Sequence, residues 1–134
     1  MEDWVLVDTC IWASFFGKAG SPEKAAVDDL LDCDRVALVG AILAEVLLGF
    51  RRKDQADWAA SRLRMSHYIA ADWDHWRLAA DLGRDLAAKG YKLPVTDLLV
   101  AAVARRCDAW VYTTDPHFDV IPELKRYWPV KPED

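Results

Sequence analysis

The sequence predicts an α/β protein in which a parallel sheet is covered by helices on both faces. Three observations carry that expectation. Trp4 to Val7, Val36 to Val39 and Ala109 to Tyr112 are short segments that read as apolar on both faces, as strands buried on each side of a parallel sheet must be. Segments of helical character lie between them, so consecutive strands are joined by right-handed crossovers. A further stretch, Leu98 to Ala104, is apolar on every side and belongs in the centre of a domain.

Taken in order, Trp4 to Val7 is the first strand. Ser21-Pro22-Glu23-Lys24 reads as a helix start, with Ser21 capping and Pro22 at the first helical position, and the helix runs to about Asp32. Val36 to Val39 is the second strand. Gly40 breaks the chain before a helix from Ala41 to about Arg52, and a helix from Asp54 to about Met65 follows, with Trp58 and Leu63 on its apolar side. Tyr68 to Ala70 is a short extended piece. An amphipathic helix starts at Asp74 and ends near Gly90, which suits a left-handed C-cap. Leu93-Pro94 forces an extended approach to Thr96, which caps a helix running to Arg106. Ala109 to Tyr112 is a third strand and Tyr127 to Val130 a fourth. Trp4 and Trp110 lie on strand patterns and are expected to be buried.

At 134 residues the chain is expected to be one domain, spanning 1–134, with a single sizeable core. A hydrophobic share of 53% and a charged share of 29% are those of a soluble globular protein. The longest apolar stretch, Val36 to Phe50, is interrupted by Glu45 and falls short of a membrane span. The first strand starts so early that no signal peptide fits before it, so a cytoplasmic protein is expected. Cys10, Cys33 and Cys107 are isolated, which argues against disulfide scaffolding and structural zinc and leaves them as small core residues.

Four acids stand out because each ends or interrupts an apolar run: Asp8 after Val5-Leu6-Val7, Glu45 within Ala41 to Gly49, Asp97 before Leu98 to Ala104, and Asp115 after Trp110 to Thr114. A charge beside so much apolar surface is costly unless compensated. Three of them have an ordinary reading: a turn residue for Asp8, a first-turn acid favoured by the helix dipole for Asp97, an Asp-Pro turn for Asp115. Glu45 is harder to explain, because Ala41, Ile42, Leu48 and Gly49 on its face offer no basic partner. Asp8 and Asp115 also fall at strand carboxyl ends, where parallel sheets place their binding crevices. Together the four are most simply compensated by a shared divalent cation, and an oxygen-only donor set suits Mg²⁺ or Mn²⁺ rather than zinc. The net charge of −5 disfavours tight binding to long duplexes. Setting those four carboxylates aside leaves −1 on the rest of the chain, with basic clusters at Arg51-Arg52-Lys53, Arg62/Arg64 and Arg105-Arg106.

The chain resembles the PIN domain, and within it the VapC-type toxins of toxin–antitoxin pairs. The resemblance rests on Val7-Asp8-Thr9, Ala44-Glu45-Val46-Leu47-Leu48-Gly49, Leu93 to Ala102, and Thr113-Thr114-Asp115-Pro116-His117-Phe118, in that order. It implies a three-layer α/β/α sandwich with a central parallel sheet of four or five strands. It also implies Mg²⁺-dependent ribonuclease activity on RNA, homodimerisation, and neutralisation by a VapB-like antitoxin. Asp8, Glu45, Asp97 and Asp115 are then the metal-binding and catalytic quartet, with hydroxyl support from Thr9 and Thr113. Two positions depart from the family pattern. His117 stands where a further acid is frequent, and reads either as a phosphate contact or as a bias toward Mn²⁺; Asp119 reads as a substitute ligand or as a plain surface acid. Cys10 stands where serine or asparagine is common.

A phosphoaspartyl hydrolase also begins with an aspartate after its first strand but needs a second one two residues on, where this chain has Cys10. Neither a GxSxG nor a GxxxxGK[ST] motif occurs. The remaining alternative is a catalytically silent module of the same fold that binds a protein partner. Seven tryptophans favour it, and Trp12, Phe15 and Phe16 close to Asp8 are candidates to stack on bases or meet an antitoxin. An apolar groove near the acids is expected, formed by the first helical regions, from Trp12, Phe15 and Phe16 through Leu30 and Leu31 to Leu47, Leu48 and Phe50.

Overall fold

The structure, a computed structural model, describes residues 3–129. Four short strands, β1 (Val5–Val7), β2 (Val36–Val39), β3 (His67–Ile69) and β4 (Trp110–Tyr112), form one sheet in the order β3-β2-β1-β4 with every pairing parallel. β1, β2 and the last two residues of β4 are buried, as their continuous apolar sequences require.

Helices α1 (Thr9–Gly17) and α2 (Pro22–Asp32) connect β1 to β2, and α3 (Gly40–Leu48) and α4 (Lys53–Leu63) connect β2 to β3. Helices α5 (Trp73–Ala88) and α6 (Val95–Cys107) return across the sheet to β4. The first two crossovers step one way and the third steps back, so right-handed connections place α5 and α6 on the opposite face from α1 to α4. The result is the expected three-layer sandwich. The connection reverses between β1 and β4, and a crevice therefore opens beyond their carboxyl ends.

Local sequence explains the caps. Ser21 Oγ accepts from Lys24 N–H at 3.1 Å with Pro22 at the first helical position. Asp72 and His75 form a reciprocal capping box that starts α5 at Trp73, one residue before the sequence signal at Asp74. Helix α6 begins at Val95, with Pro94 in the cap position and no side-chain cap, so Thr96 does not cap it. Leu98 to Ala104 are all buried. Gly83 lets α5 lie close to α6, since a Cβ there would sit 2.7 Å from Leu98 Cδ1.

Several expectations need correction. The helical region around Trp12 to Phe16, given no bounds above, is α1. α3 stops at Leu48 because the chain turns at Gly49, short of Arg52. The fourth strand is His67–Ile69. The segment from Tyr127 forms no strand among the described residues: it meets β4 through an isolated bridge from Arg126 to Val111 and the Tyr127 ring against Tyr112, and Val130 lies outside those residues. Trp4 is 37% exposed and stacks on His67, and Trp110 is half-buried under Lys125 Nζ. Trp58 is exposed on α4, whereas Leu63 is buried. Cys33 and Cys107 are exposed at helix ends, so neither belongs to the core, whereas Cys10 is half-buried and packs against it. Among the described residues no helix is long and apolar enough to cross a membrane.

Candidate active site

The crevice between β1 and β4 is built from the backbone outward. Asp8 N–H donates to the Tyr112 carbonyl at 3.0 Å, tying together the carboxyl ends of the two strands. Asp8 occupies the cap position of α1 but makes no side-chain cap. Its carboxylate instead accepts from Thr113 Oγ1 at 2.8 Å and is only 6% exposed. The same Thr113 oxygen accepts from Asp115 N–H at 3.0 Å, which sets the turn carrying the next acid. Asp115 then caps a 3-10 turn (Pro116–Val120), its Oδ1 accepting from His117 N–H at 2.9 Å.

Asp97 reaches the crevice from the first turn of α6 and is hydrogen-bonded to His117 Nδ1 at 2.8 Å. That nitrogen also lies 3.4 Å from Asp115 Oδ1. Carboxylates only accept, so Nδ1 carries the ring proton in this arrangement. The hydrogen bond to Asp97 raises the His117 pKa. Burial pushes the Asp97 carboxyl above its ordinary value; the His117 hydrogen bond opposes that, and the charges of Asp8 and Asp115 add to it. Glu45, projecting from α3, is likewise raised, first by partial burial and then by the charges of Asp8 and Asp97. The four acids named by the sequence thus come from four elements into one electrostatic neighbourhood, with Asp97 coupled to each of the other three.

A hard divalent cation fits this set. The donors are carboxylate oxygens that repel one another, and two of them are held above their usual pKa. Thr9 Oγ1 is buried beside them with no hydrogen bond of ordinary geometry, although it lies near enough to Glu45 to act on its carboxyl. Asp97, Asp115 and His117 offer three ligand atoms within 4.8 Å of one another.

The neighbours divide differently from the sequence expectation. Trp12 and Phe15 are core residues, 0% and 6% exposed, so neither can stack on a base or meet a partner. Phe16 is half-buried and packs against Phe50 and Trp58. Cys10 Sγ lies 3.7 Å from Asp8 Oδ2 and 3.6 Å from both Thr113 Oγ1 and Thr114 Oγ1, at the edge of the site. Asp119 is engaged by Arg126 Nη1 at 3.0 Å. Sequence reasoning missed Arg126 itself, whose Nη2 donates to the Thr113 carbonyl at 3.2 Å and so braces the turn behind the acids. A lone arginine thirteen residues downstream carries no signal of that role. An apolar groove of about 270 Å³ runs from Thr9 and Glu45 between α1 and α3, lined by Ala13, Phe16, Val46 and Phe50.

A family model described as PIN domain matches residues 5–124. No curated protein sequence matches the chain. Among solved structures, VapBC2 from Rickettsia felis, bound to a DNA fragment from its promoter, is similar at 22% identity and a TM-score of 0.79, covering 92% of this chain and 96% of that one. VapBC-5 of Mycobacterium tuberculosis, a member of the VapBC family of toxin–antitoxin systems, is 26% identical with a TM-score of 0.66, covering 94% of this chain and 100% of its own. VapC20 of the same organism, described as a toxin cleaving the sarcin-ricin loop, is 19% identical with a TM-score of 0.66, covering 88% and 95%.

Proposed function

Since the chain belongs to the PIN-domain family, we propose that it is a metal-dependent endoribonuclease that hydrolyses RNA phosphodiesters and serves as the toxin of a toxin–antitoxin pair. The observation that carries the reading is the convergence of Asp8, Glu45, Asp97 and Asp115 at the point where the crossovers reverse. Asp8 and Asp97 would hold the principal ion, and Glu45 and Asp115 would complete the site directly or through water. A Mg²⁺ or Mn²⁺ ion held by these residues would supply Lewis-acid activation of water and of the phosphodiester.

The chain's own residues supply the rest. Thr113 fixes the Asp8 carboxylate and the Asp115 turn with one hydroxyl. Glu45, reaching the acids from α3, is placed to orient the attacking water. The VapC20 toxin's RNA target and the VapBC assemblies support RNA as substrate and a VapB-like antitoxin as partner. The apolar groove beside Glu45 suits an amphipathic antitoxin segment. A second apolar groove, between Leu43 and Leu47 of α3, Leu63 of α4 and Tyr68 of β3, suits a contact between two copies of the chain.

Cleavage of an RNA oligonucleotide by the purified chain tests the reading. Activity should require Mg²⁺ or Mn²⁺, vanish with a chelator, and leave a 5′-phosphate and a 3′-hydroxyl. His117 is the one histidine at the acids, since His67 stacks on Trp4 and His75 caps α5, so no histidine pair serves a 2′-hydroxyl route. Products ending in a 2′,3′-cyclic phosphate would overturn the mechanism. Chelator-insensitive or absent cleavage would favour a silent binding module.

A further inference from the structure

The chain departs from an all-carboxylate site at one position, and that position is placed inside the site. We propose that His117 Nδ1 is a direct ligand of the bound cation, together with Asp97 and Asp115, and that it biases the site toward Mn²⁺ over Mg²⁺. The inference rests on the metal-dependent reading above and specifies which ion that site prefers.

The geometry points to it in three ways. First, the three ligand atoms already lie within 4.8 Å of one another. Metal–ligand bonds of about 2.1 Å place two ligand atoms at most ~4.2 Å apart, so modest side-chain rotation closes the set around an ion. Second, the ring is delivered by its own turn. Asp115 Oδ1 accepts from His117 N–H at 2.9 Å with Pro116 fixing the backbone between them, and the imidazole lies 2.8 Å from Asp97 across the crevice. Third, the other side chain that could have served, Asp119, is held by Arg126 at 3.0 Å.

The chemistry follows from the donor type. Without an ion Nδ1 donates its proton to Asp97; with one, the neutral ring carries its proton on Nε2 and Nδ1 offers a lone pair. Mg²⁺ favours oxygen donors and retained water, whereas imidazole nitrogen suits first-row transition ions. A site with one nitrogen among its carboxylates therefore gains more with Mn²⁺.

Pulsed EPR of the Mn²⁺-loaded protein tests this directly, because a coordinated imidazole imposes ¹⁴N modulation on the manganese signal. The parent should show that modulation and His117→Asp should lose it. Competition of Mg²⁺ against bound Mn²⁺ gives a second reading: the Mn²⁺-over-Mg²⁺ preference should fall by about tenfold or more in His117→Asp. His117→Asn should also lose the modulation, which covers the case in which a new carboxylate disturbs the turn. Manganese bound without ¹⁴N modulation, or a preference unchanged in both variants, overturns the inference and leaves the metal-dependent nuclease reading standing. Failure of the parent to bind either ion, by EPR and by calorimetry, overturns both.

Discussion

Thr113 Oγ1 donates to Asp8 Oδ2 at 2.8 Å, joining two buried residues 105 positions apart at the ends of adjacent strands. Because that hydroxyl also accepts from Asp115 N–H, one side chain orients two of the four acids. Thr113→Val keeps the shape but leaves the Asp8 carboxylate without its strongest donor. The loss should cost about 1–3 kcal/mol of stability, the usual penalty for a buried polar group left short of a partner. RNA cleavage should fall with it, while Thr113→Ser restores both. Melting curves and cleavage rates of the two variants check this. A Thr113→Val protein with parental activity would show that Asp8 needs no positioning.

Asp97 is the acid to which the other three are electrostatically coupled, and its folded pKa is raised. Asp97→Asn should abolish cleavage yet melt no lower than the parent in chelator, because a like-charge neighbour is gone and the amide oxygen still accepts from His117. If the variant melts well below the parent without metal, Asp97 serves chiefly to start α6 and the assignment fails.

The same shifts set a direction for pH dependence. Asp97 and Glu45 both have folded pKa values above their ordinary 3.8 and 4.5, so the folded state binds protons more tightly than the unfolded one. Their contribution to stability is full below those ordinary values and is lost as pH rises through the raised ones. Asp3 and Asp72 are lowered, Asp3 first by the Lys125 hydrogen bond and Asp72 by the His75 backbone, and they act in the opposite sense. The site's part is isolated by difference. In chelator, the parent's melting temperature relative to Glu45→Gln should fall as pH rises from the ordinary carboxylate range. Saturating Mg²⁺ should remove that fall. A difference that rises with pH would contradict the raised values.

How legible the chain was depends on the kind of signal. The strand cores, the buried helix from Leu98 to Ala104 and the four acids were readable because each contrast is local: a charge against an apolar run, or apolarity on every face. The bounds of helix α1 were not, because its cap, Asp8, reads as the turn residue after a strand, and its carboxylate bonds Thr113 rather than the helix. Its run Ile11-Trp12-Ala13-Ser14-Phe15-Phe16 also looks like surplus aromatic surface until Trp12 and Phe15 are seen inside the core. The last strand was misplaced because Tyr127 and Trp128 have the composition of a strand. Only one residue pairs there: Val111 bonds the Lys125 carbonyl and the Tyr127 N–H, which flank Arg126, and the Arg126 side chain turns back to Asp119 and Thr113. Arg126 acts through tertiary distances of about a hydrogen bond, and composition at one position does not encode those.

The groove from Glu45 along α1 and α3 gives the last prediction. Its aromatic floor is tied into the core, since Phe16 packs on Trp12, Phe15, Phe50 and Trp58, so substitutions there would confuse binding with folding. Ala13 offers a cleaner test. It is exposed on the groove side of α1 and its side chain carries little of the core. Ala13→Glu should change stability by no more than about 0.5 kcal/mol, as expected for a surface position. It should nevertheless place a bulky charge where an amphipathic antitoxin segment would lay its apolar face. Affinity for the cognate antitoxin, measured by calorimetry, should fall at least about tenfold, the equivalent of about 1.4 kcal/mol. Cleavage of RNA by the free toxin should persist, because Asp8, Glu45, Asp97 and Asp115 are untouched. An antitoxin that also inserts a basic side chain among those carboxylates should bind Glu45→Gln less tightly than the parent, and adding both substitutions should weaken binding further. Full affinity in Ala13→Glu would place the antitoxin elsewhere on the molecule.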